Sequence, residues 1–327
     1  MSVTLNDLAK MCGVSKTTVI RALHGEGRIN DKTKSMIINK AKEMDYQPNL
    51  LARSLVSGKT MTLGIVIPDL RNQYFPKIVD AVAKTVNKQG YILNIMVHED
   101  NKESERRIIR NFAGHGIDGI IINPINKGND FTCMMNEVKV PYVVLSTGDC
   151  DNCNCVGIDE RKAGRDAAEY IIAKGYKDIV FVAPTLYDSE HVFNIGHHNR
   201  MDGILDVVKS SADIHYELIS SKQYTKEAAK YMKKNTHPAF LCSGALFTSE
   251  VMASLREAGY KTVKDFGIMS FDQMDFDKNW SPRLTAIDNH PEKIGEVAGK
   301  TIIQLSEGEK VRQRIYIPYQ IVEGDSL

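Results

Sequence analysis

Lys16, Thr17, Ile20 and Arg21 fall on the first turns of a short predicted helix whose Val19, Ala22 and Leu23 face inward, so two cations, a hydroxyl and an aliphatic side chain share its exposed side. Arg and Lys donate to phosphates and to the major-groove edge of guanine, Thr pairs with several base edges, and an aliphatic group packs on a thymine methyl. These are the positions that reach DNA when a recognition helix enters the major groove. The same residues also suit the solvated face of an ordinary surface helix, because two short helices joined through a glycine are common.

Other candidate chemistry is sparser. Cys150, Cys153 and Cys155 form C-x-x-C-x-C within DCDNCNCVG, a spacing that could hold a soft metal or form a redox pair. No second CxxC and no His pair at finger-like spacing accompanies them, so they read as loop thiols near the strand leading to Asp159. His197 and His198, flanked by Asn194 and Asn199, read as solvated loop residues, with a ligand contact as the alternative. No G-x-S-x-G, Walker A, H-E-x-x-H or Rossmann glycine fingerprint occurs. The sequence therefore assigns no catalytic residue, metal ligand or cofactor, and an enzyme using a cleft is the runner-up reading.

The elements that must position these residues are of two kinds. Thr4 is the predicted N-cap of a first helix, with Asp7 three residues on, and Leu5, Leu8 and Ala9 share one face. Gly13 supplies the turn, Ser15 caps the second helix, and Val14 and Val19 have the spacing of a hydrophobic staple. Residues 1–60 hold three short helical patterns and no convincing strand. From Met61 onward, strand candidates such as 62–68, 91–97, 119–123, 142–146, 178–183, 239–243, 266–272 and 314–317 alternate with amphipathic stretches. Those helix candidates cover 73–89, 103–115, 161–174, 199–209, 225–235, 247–258 and 291–305. Continuous Val/Ile runs between helices predict parallel sheets covered on both faces. The fold class is a small all-α helix-turn-helix headpiece plus an α/β core of doubly wound parallel sheets.

Charge follows the same division. The 327 residues carry a formal +1, a poor match to a nucleic-acid binder. Residues 1–60, however, contain ten Lys and Arg against five Asp and Glu, or +5, which leaves −4 on the remainder. With 43% hydrophobic and 25% charged residues, the composition excludes disordered, collagen-like and disulfide-scaffold classes. Apolar runs are strand-sized, and MSVTLNDLAK has no apolar signal segment, so the expectation is a cytoplasmic protein with no membrane contact.

TLNDLAKMCGVSKTTVIRAL followed by YQPNLLARSL closely resembles the headpiece and hinge of the lactose-repressor (LacI/GalR) family of bacterial transcription regulators. GIVIPDLRNQYFPKIVDAV is similar to the start of that family's effector-binding core. The resemblance runs from about Thr4 to Val322. It implies that Lys16, Thr17 and Arg21 read the major groove, with Ser15 and Thr18 near the backbone, and extends DNA contact to Thr4, Leu5, His24 and Asn49. Ile20 stands where many members have Ser, so a thymine-methyl contact can replace a polar one. The resemblance also implies that 49–56 becomes a hinge helix, with Leu55 wedged into the minor groove and Ala52 allowing close approach. Such a short helix is unstable alone, which suits an element that orders on DNA.

For the core, the resemblance implies a periplasmic-binding-protein-like pair of α/β subdomains joined by three crossovers, with a small ligand between them. Matching motifs place Asp69, Asn72, Tyr74, Phe75, Ser146, Arg200, Asp272 and Asn289 around that cleft. The chain departs from the family at Ser146-Thr147, Gly244-Ala245 and Asn289, where relatives carry Asp or Asp-Arg, Asn-Asp, and Gln or a similar amide. These departures alter half of the usual polar grip on a sugar. The expected domains are a headpiece at 1–46, a hinge helix and linker at 47–60, and a core at 61–327. The core divides into 61–159 plus 290–319 and 160–289 plus 320–327. The expected function is a homodimeric repressor of a near-palindromic operator in double-stranded DNA, controlled by a small-molecule effector, possibly a carbohydrate. The alternatives are a regulator that answers to a protein partner or to no effector, and a pure sugar-binding module. No counterpart of a tetramerising heptad tail is expected.

Overall fold

The computed structural model describes residues 3–24, 29–46, 54, 58–71, 73–146, 153–186, 195–234, 237–273 and 281–327. The chain divides into two compact units, Met1–Thr60 and Met61–Leu327.

In the first unit, helices α1 (Leu5–Cys12), α2 (Lys16–His24) and α3 (Asp31–Glu43) enclose a small core of Leu8, Ala9, Val19, Ala22, Ile37 and Ala41. Thr4 and Asp7 close a capping box at the start of α1. The Thr4 N–H donates to Asp7 Oδ2 at 3.0 Å, and the Asp7 N–H donates to Thr4 Oγ1 at 3.3 Å. Gly13, at φ 65°, ends α1 in the left-handed region that favours glycine. Ser15 Oγ accepts from the Thr18 N–H at 3.1 Å, capping α2, while Val14 packs against the core that holds Val19. These local features agree with the sequence reading.

The second unit contains two six-stranded sheets built to one plan. The strands are β1 (Thr62–Ile67), β2 (Ile92–Val97), β3 (Gly119–Ile122), β4 (Tyr142–Val144), β5 (Cys155–Gly157), β6 (Asp178–Val182), β7 (His215–Ile219), β8 (Ala239–Cys242), β9 (Gly267–Ser270), β10 (Thr285–Asp288), β11 (Arg314–Tyr316) and β12 (Gln320–Val322). The first sheet runs β11-β5-β4-β3-β1-β2 and the second β12-β10-β9-β8-β6-β7, so β6 to β10 repeat the order of β1 to β5. Every pairing is parallel except that of β12 with β10, so the second sheet is mixed at one edge. The chain passes between sheets after β5, after β10 and after β11. Ile65, Val66, Ile120, Ile121, Val180, Phe181 and Phe240 are completely buried, as continuous apolar strands sandwiched between helices should be.

The helices of this unit are α4 (Tyr74–Asn87), α5 (Lys102–Gly114), α6 (Gly128–Val138), α7 (Glu160–Ala173), α8 (Ile195–Val208), α9 (Tyr224–Met232), α10 (Ala245–Glu257) and α11 (Pro291–Ser306). Two sequence readings need correction. His197 and His198 lie on the first turn of α8 rather than in a loop, because that helix begins four residues before the predicted 199. Cys155 opens β5, and Cys153 is buried and disulfide-bonded, so neither is a loop thiol. Cys150 lies outside the described residues. Among the described residues no helix is long and apolar enough to cross a membrane, and no cluster of His, Cys, Asp and Glu could hold a metal.

Candidate nucleic-acid interface and effector cleft

On α2 the inward side chains, Val19 and Ala22, are buried, and Lys16, Thr17, Ile20 and Arg21 are all exposed. Ile20 retains 42% of its surface, notable for an aliphatic side chain beside two cations. Among the described residues no carboxylate lies within ion-pair distance of Lys16 or Arg21, so both charges are available to a polyanion. Ser15 and Thr18 join through their hydroxyls at 2.9 Å, at the helix N-terminus where backbone N–H groups favour phosphate. Thr4 and Leu5 begin α1, and Thr4 is engaged in its capping box. His24 closes α2, with its side chain outside the described residues, as are Asn49, Ala52 and Leu55.

In the second unit, a polar cluster forms where strands of both sheets end. Glu160 is the first residue of α7, just beyond β5. Asp159 caps this helix by accepting from the Lys162 N–H at 2.9 Å, which leaves Glu160 free to pair elsewhere. Its partner is Arg200 on α8. Arg200 Nε donates to Glu160 Oε2 at 2.6 Å and Nη2 to Oε1 at 3.2 Å, a two-pronged pair. Nη1 donates to the Ser243 carbonyl at 2.8 Å, and the guanidinium carbon lies 4.4 Å from the centre of the Phe271 ring. Side-chain exposure is only 8% for Arg200 and 14% for Glu160.

Two glycines set this pairing. A Cβ on Gly164 would lie 2.1 Å from the Arg200 carbonyl oxygen, and one on Gly203 would lie 1.9 Å from that of Arg161. Helices α7 and α8 thus touch backbone to backbone. On the solvent side Arg161 and Arg165 both reach Asp206, at 2.8 and 3.0 Å, and hold its carboxyl down at about 2.

Asp272 follows β9 and Asn289 follows β10. Asn289 Nδ2 donates to the Phe271 carbonyl at 2.8 Å and to Asp272 Oδ1 at 3.0 Å, while Asp272 Oδ2 accepts from the Ala245 N–H at 3.3 Å. Asn289 Oδ1 is buried with no hydrogen-bond partner among the described residues. Burial pushes the Glu160 and Asp272 carboxyls up, and Arg200 pulls both back only in part. Burial opposes the charge of Arg200, but Glu160 overrides it and its pKa is raised. Tyr74 packs edge-on to Phe75 at 5.2 Å, and burial, followed by the two carboxylates, raises its phenol. The free space bounded by Tyr74, Lys77, Ala245, Asp272, Asn289 and Pro291 is about 10 Å³, the room of roughly one water.

The structure therefore joins Tyr74, Arg200, Asp272 and Asn289 in one electrostatic cluster. Asp69 instead holds Arg71, accepting from its N–H at 2.7 Å and its Nη2 at 3.0 Å. Ser146 stands past the end of β4, and Asn72 lies outside the described residues. Sequence reasoning missed Glu160 and Ser243, and gave His197 a ligand contact only as the alternative to a solvated loop position. The His197 ring pairs with the Ser243 hydroxyl, and burial, with Arg200 and Lys127 nearby, keeps it well below the ordinary histidine value and hence neutral.

Residues 4–49 match the family described as bacterial regulatory proteins, lacI family, and residues 60–323 match periplasmic binding proteins and sugar binding domain of LacI family. The chain belongs to the LacI family. As a LacI-family chain it is a transcriptional regulator with an N-terminal helix-turn-helix domain and a sugar-binding type of core, and not an enzyme. It is 27% identical to the HTH-type transcriptional regulator RegA of Clostridium acetobutylicum, over 100% of this chain and 99% of that one. It is 25% identical to catabolite control protein A of Staphylococcus epidermidis, over 98% of each. Its fold is similar to that of a lac repressor dimer bound to operator and the anti-inducer ONPF (TM-score 0.88, 20% identity, 100% and 99% covered). The CelR–cellobiose complex is a further neighbour (TM-score 0.69, 19% identity, 99% of each covered).

Proposed function

We propose that this LacI-family regulator is a cytoplasmic homodimer that represses transcription from a near-palindromic operator, and that a small polar effector of carbohydrate class in the core cleft alters its grip on DNA. The observation that carries the reading is the exposed set Lys16, Thr17, Ile20 and Arg21 on a helix whose opposite face is buried. In this reading 1–46 is the headpiece, 47–60 the hinge and linker, and 61–327 the core. Lys16, Thr17 and Arg21 read bases, Ser15 and Thr18 hold phosphates, and Thr4, Leu5, His24 and Asn49 add contacts, with Ala52 and Leu55 acting in the minor groove. Two relatives support an operator-bound dimer and a sugar ligand: the lac repressor dimer bound to operator and the CelR–cellobiose complex.

Effector control follows from linkage. A ligand shifts the DNA-competent population only by the difference in its affinity for the two states, commonly about 1 to 3 kcal/mol. Arg200, Asp272, Asn289 and Tyr74 are the proposed contacts, joined by Asp69, Asn72, Phe75 and Ser146. Because the free space is about that of one water, a sugar-sized molecule must displace side chains to enter.

The test is a gel-shift assay with operator fragments selected from random DNA, run across salt concentrations. Specific binding that weakens steeply with salt is expected, as phosphate contacts require. A sugar that changes the binding midpoint completes the reading. Absence of any selected sequence would overturn it, and operator binding indifferent to every small molecule would leave a regulator without a ligand.

A further inference from the structure

Arg200 is committed before any ligand arrives. A guanidinium meets a carboxylate or phosphate best through a fork of two N–H groups, and Glu160 occupies such a fork with both oxygens, at 2.6 and 3.2 Å. A third N–H is held by the Ser243 carbonyl, and Phe271 lies against the guanidinium. An incoming anion would have to displace Glu160, leaving its carboxylate buried without a cation in a cluster that already holds Asp272. Two acceptors line the pocket. Asp272 is a carboxylate, and Asn289 Oδ1 is an acceptor with no donor among the described residues, in a residue only 2% exposed. A ligand O–H or N–H would relieve that orphan. Lys77 also lines the pocket, with its Nζ 3.7 Å from Glu292.

We propose that Glu160 is a specificity-determining residue: it fills the anion seat of Arg200, so the cleft takes an uncharged hydroxyl-bearing ligand that donates to Asp272 and Asn289, and turns away phosphorylated or carboxylated ones. The inference rests on the cleft being the effector site and goes further by fixing the charge of the effector. Glu160 acts on selectivity through Arg200 as well as by its own charge.

The full-length chain is tested in thermal melts with inorganic sulfate at constant ionic strength. The wild type shows no saturable rise. Glu160→Gln, which keeps the side-chain shape and removes the charge, shows one with an affinity gain of about tenfold or more, and the double variant Glu160→Gln, Arg200→Gln loses it. Glu160→Ala repeats the measurement should the glutamine variant fold poorly. A saturable rise in the wild type that Arg200→Gln removes overturns the proposal, as does a folded Glu160 variant with no rise. A second set of melts compares neutral sugars with their phosphates and uronates on the wild type. A neutral sugar whose effect Asp272→Asn removes, with a silent phosphate partner, supports the proposal, and a charged sugar acting through Arg200 sinks it. Silence from every sugar removes the effector-site reading alone, because the sulfate melts still decide what fills the seat of Arg200.

Discussion

Arg21, on the exposed face of α2, and Arg200, buried beside Glu160, are the same side chain in opposite settings. Arg21 is exposed, and no described carboxylate is in ion-pair reach. Arg200 is nearly buried, and its charge is met by Glu160 within the fold. An exposed cation keeps its hydration until a partner arrives, so its loss is felt in binding, if at all, and hardly in folding. A buried ion pair is different: once one member is removed, the other is stranded in a medium that cannot solvate it. Location thus decides whether an arginine belongs to the ligand or to the fold.

Four changes can break or sharpen that contrast. The largest effect is expected from Arg200→Ala, which strands Glu160 and should lower the stability of the core by roughly 3 to 5 kcal/mol. Urea unfolding measures it, and a loss below about 1 kcal/mol would mean that solvent reaches the pair. Arg21→Ala should leave the melting temperature where it is and weaken operator binding by about 1 to 3 kcal/mol at fixed salt. A folding defect of that size with unchanged binding would reverse the comparison. Thr4→Ala removes one half of a capping box and should cost the headpiece about 1 kcal/mol, visible in unfolding of the headpiece without a change in the core transition.

The smallest effect concerns pH. Asp272 has a folded pKa raised above its ordinary 3.8, so the native state binds its proton more tightly than the unfolded chain does. Its contribution to stability is therefore full below 3.8 and is lost as pH rises through the folded value. Asp272→Asn should flatten this fall, so the variant gains on the wild type between acidic and neutral pH. Urea midpoints at both ends of that range check it, and a gain at the acidic end would contradict the sign.

Much of the fold was legible because it is written locally. The Thr4–Asp7 box, Gly13, the Ser15 cap and the continuous strands of Val and Ile each act over a few residues, and all stand as read. Strands β7 and β10 were missed because they are short or mixed in character and are held by pairing with β6 and with β9 and β12. Helix α6 begins Gly-Asn-Asp, a poor helical start that tertiary packing overrides. The start of α8 was hidden in the same way by Gly196, His197 and His198. Arg200, Asp272 and Asn289 could be singled out by motif, but Glu160 lay just before the predicted helix 161–174 and nothing in the sequence marked it out. Its significance depends on a residue forty positions away, a relation that no local pattern records.

Gly164 and Gly203 carry a consequence for how this protein can change. Substituting alanine at either position adds one methyl where a carbonyl oxygen already stands, about 2 Å from the new carbon. The neighbouring helix would have to retreat, carrying Arg200 away from Glu160 without touching either side chain. Residues around the pocket are therefore open to variation, while the spacing that brings Arg200 to Glu160 depends on two side chains being no more than a hydrogen atom.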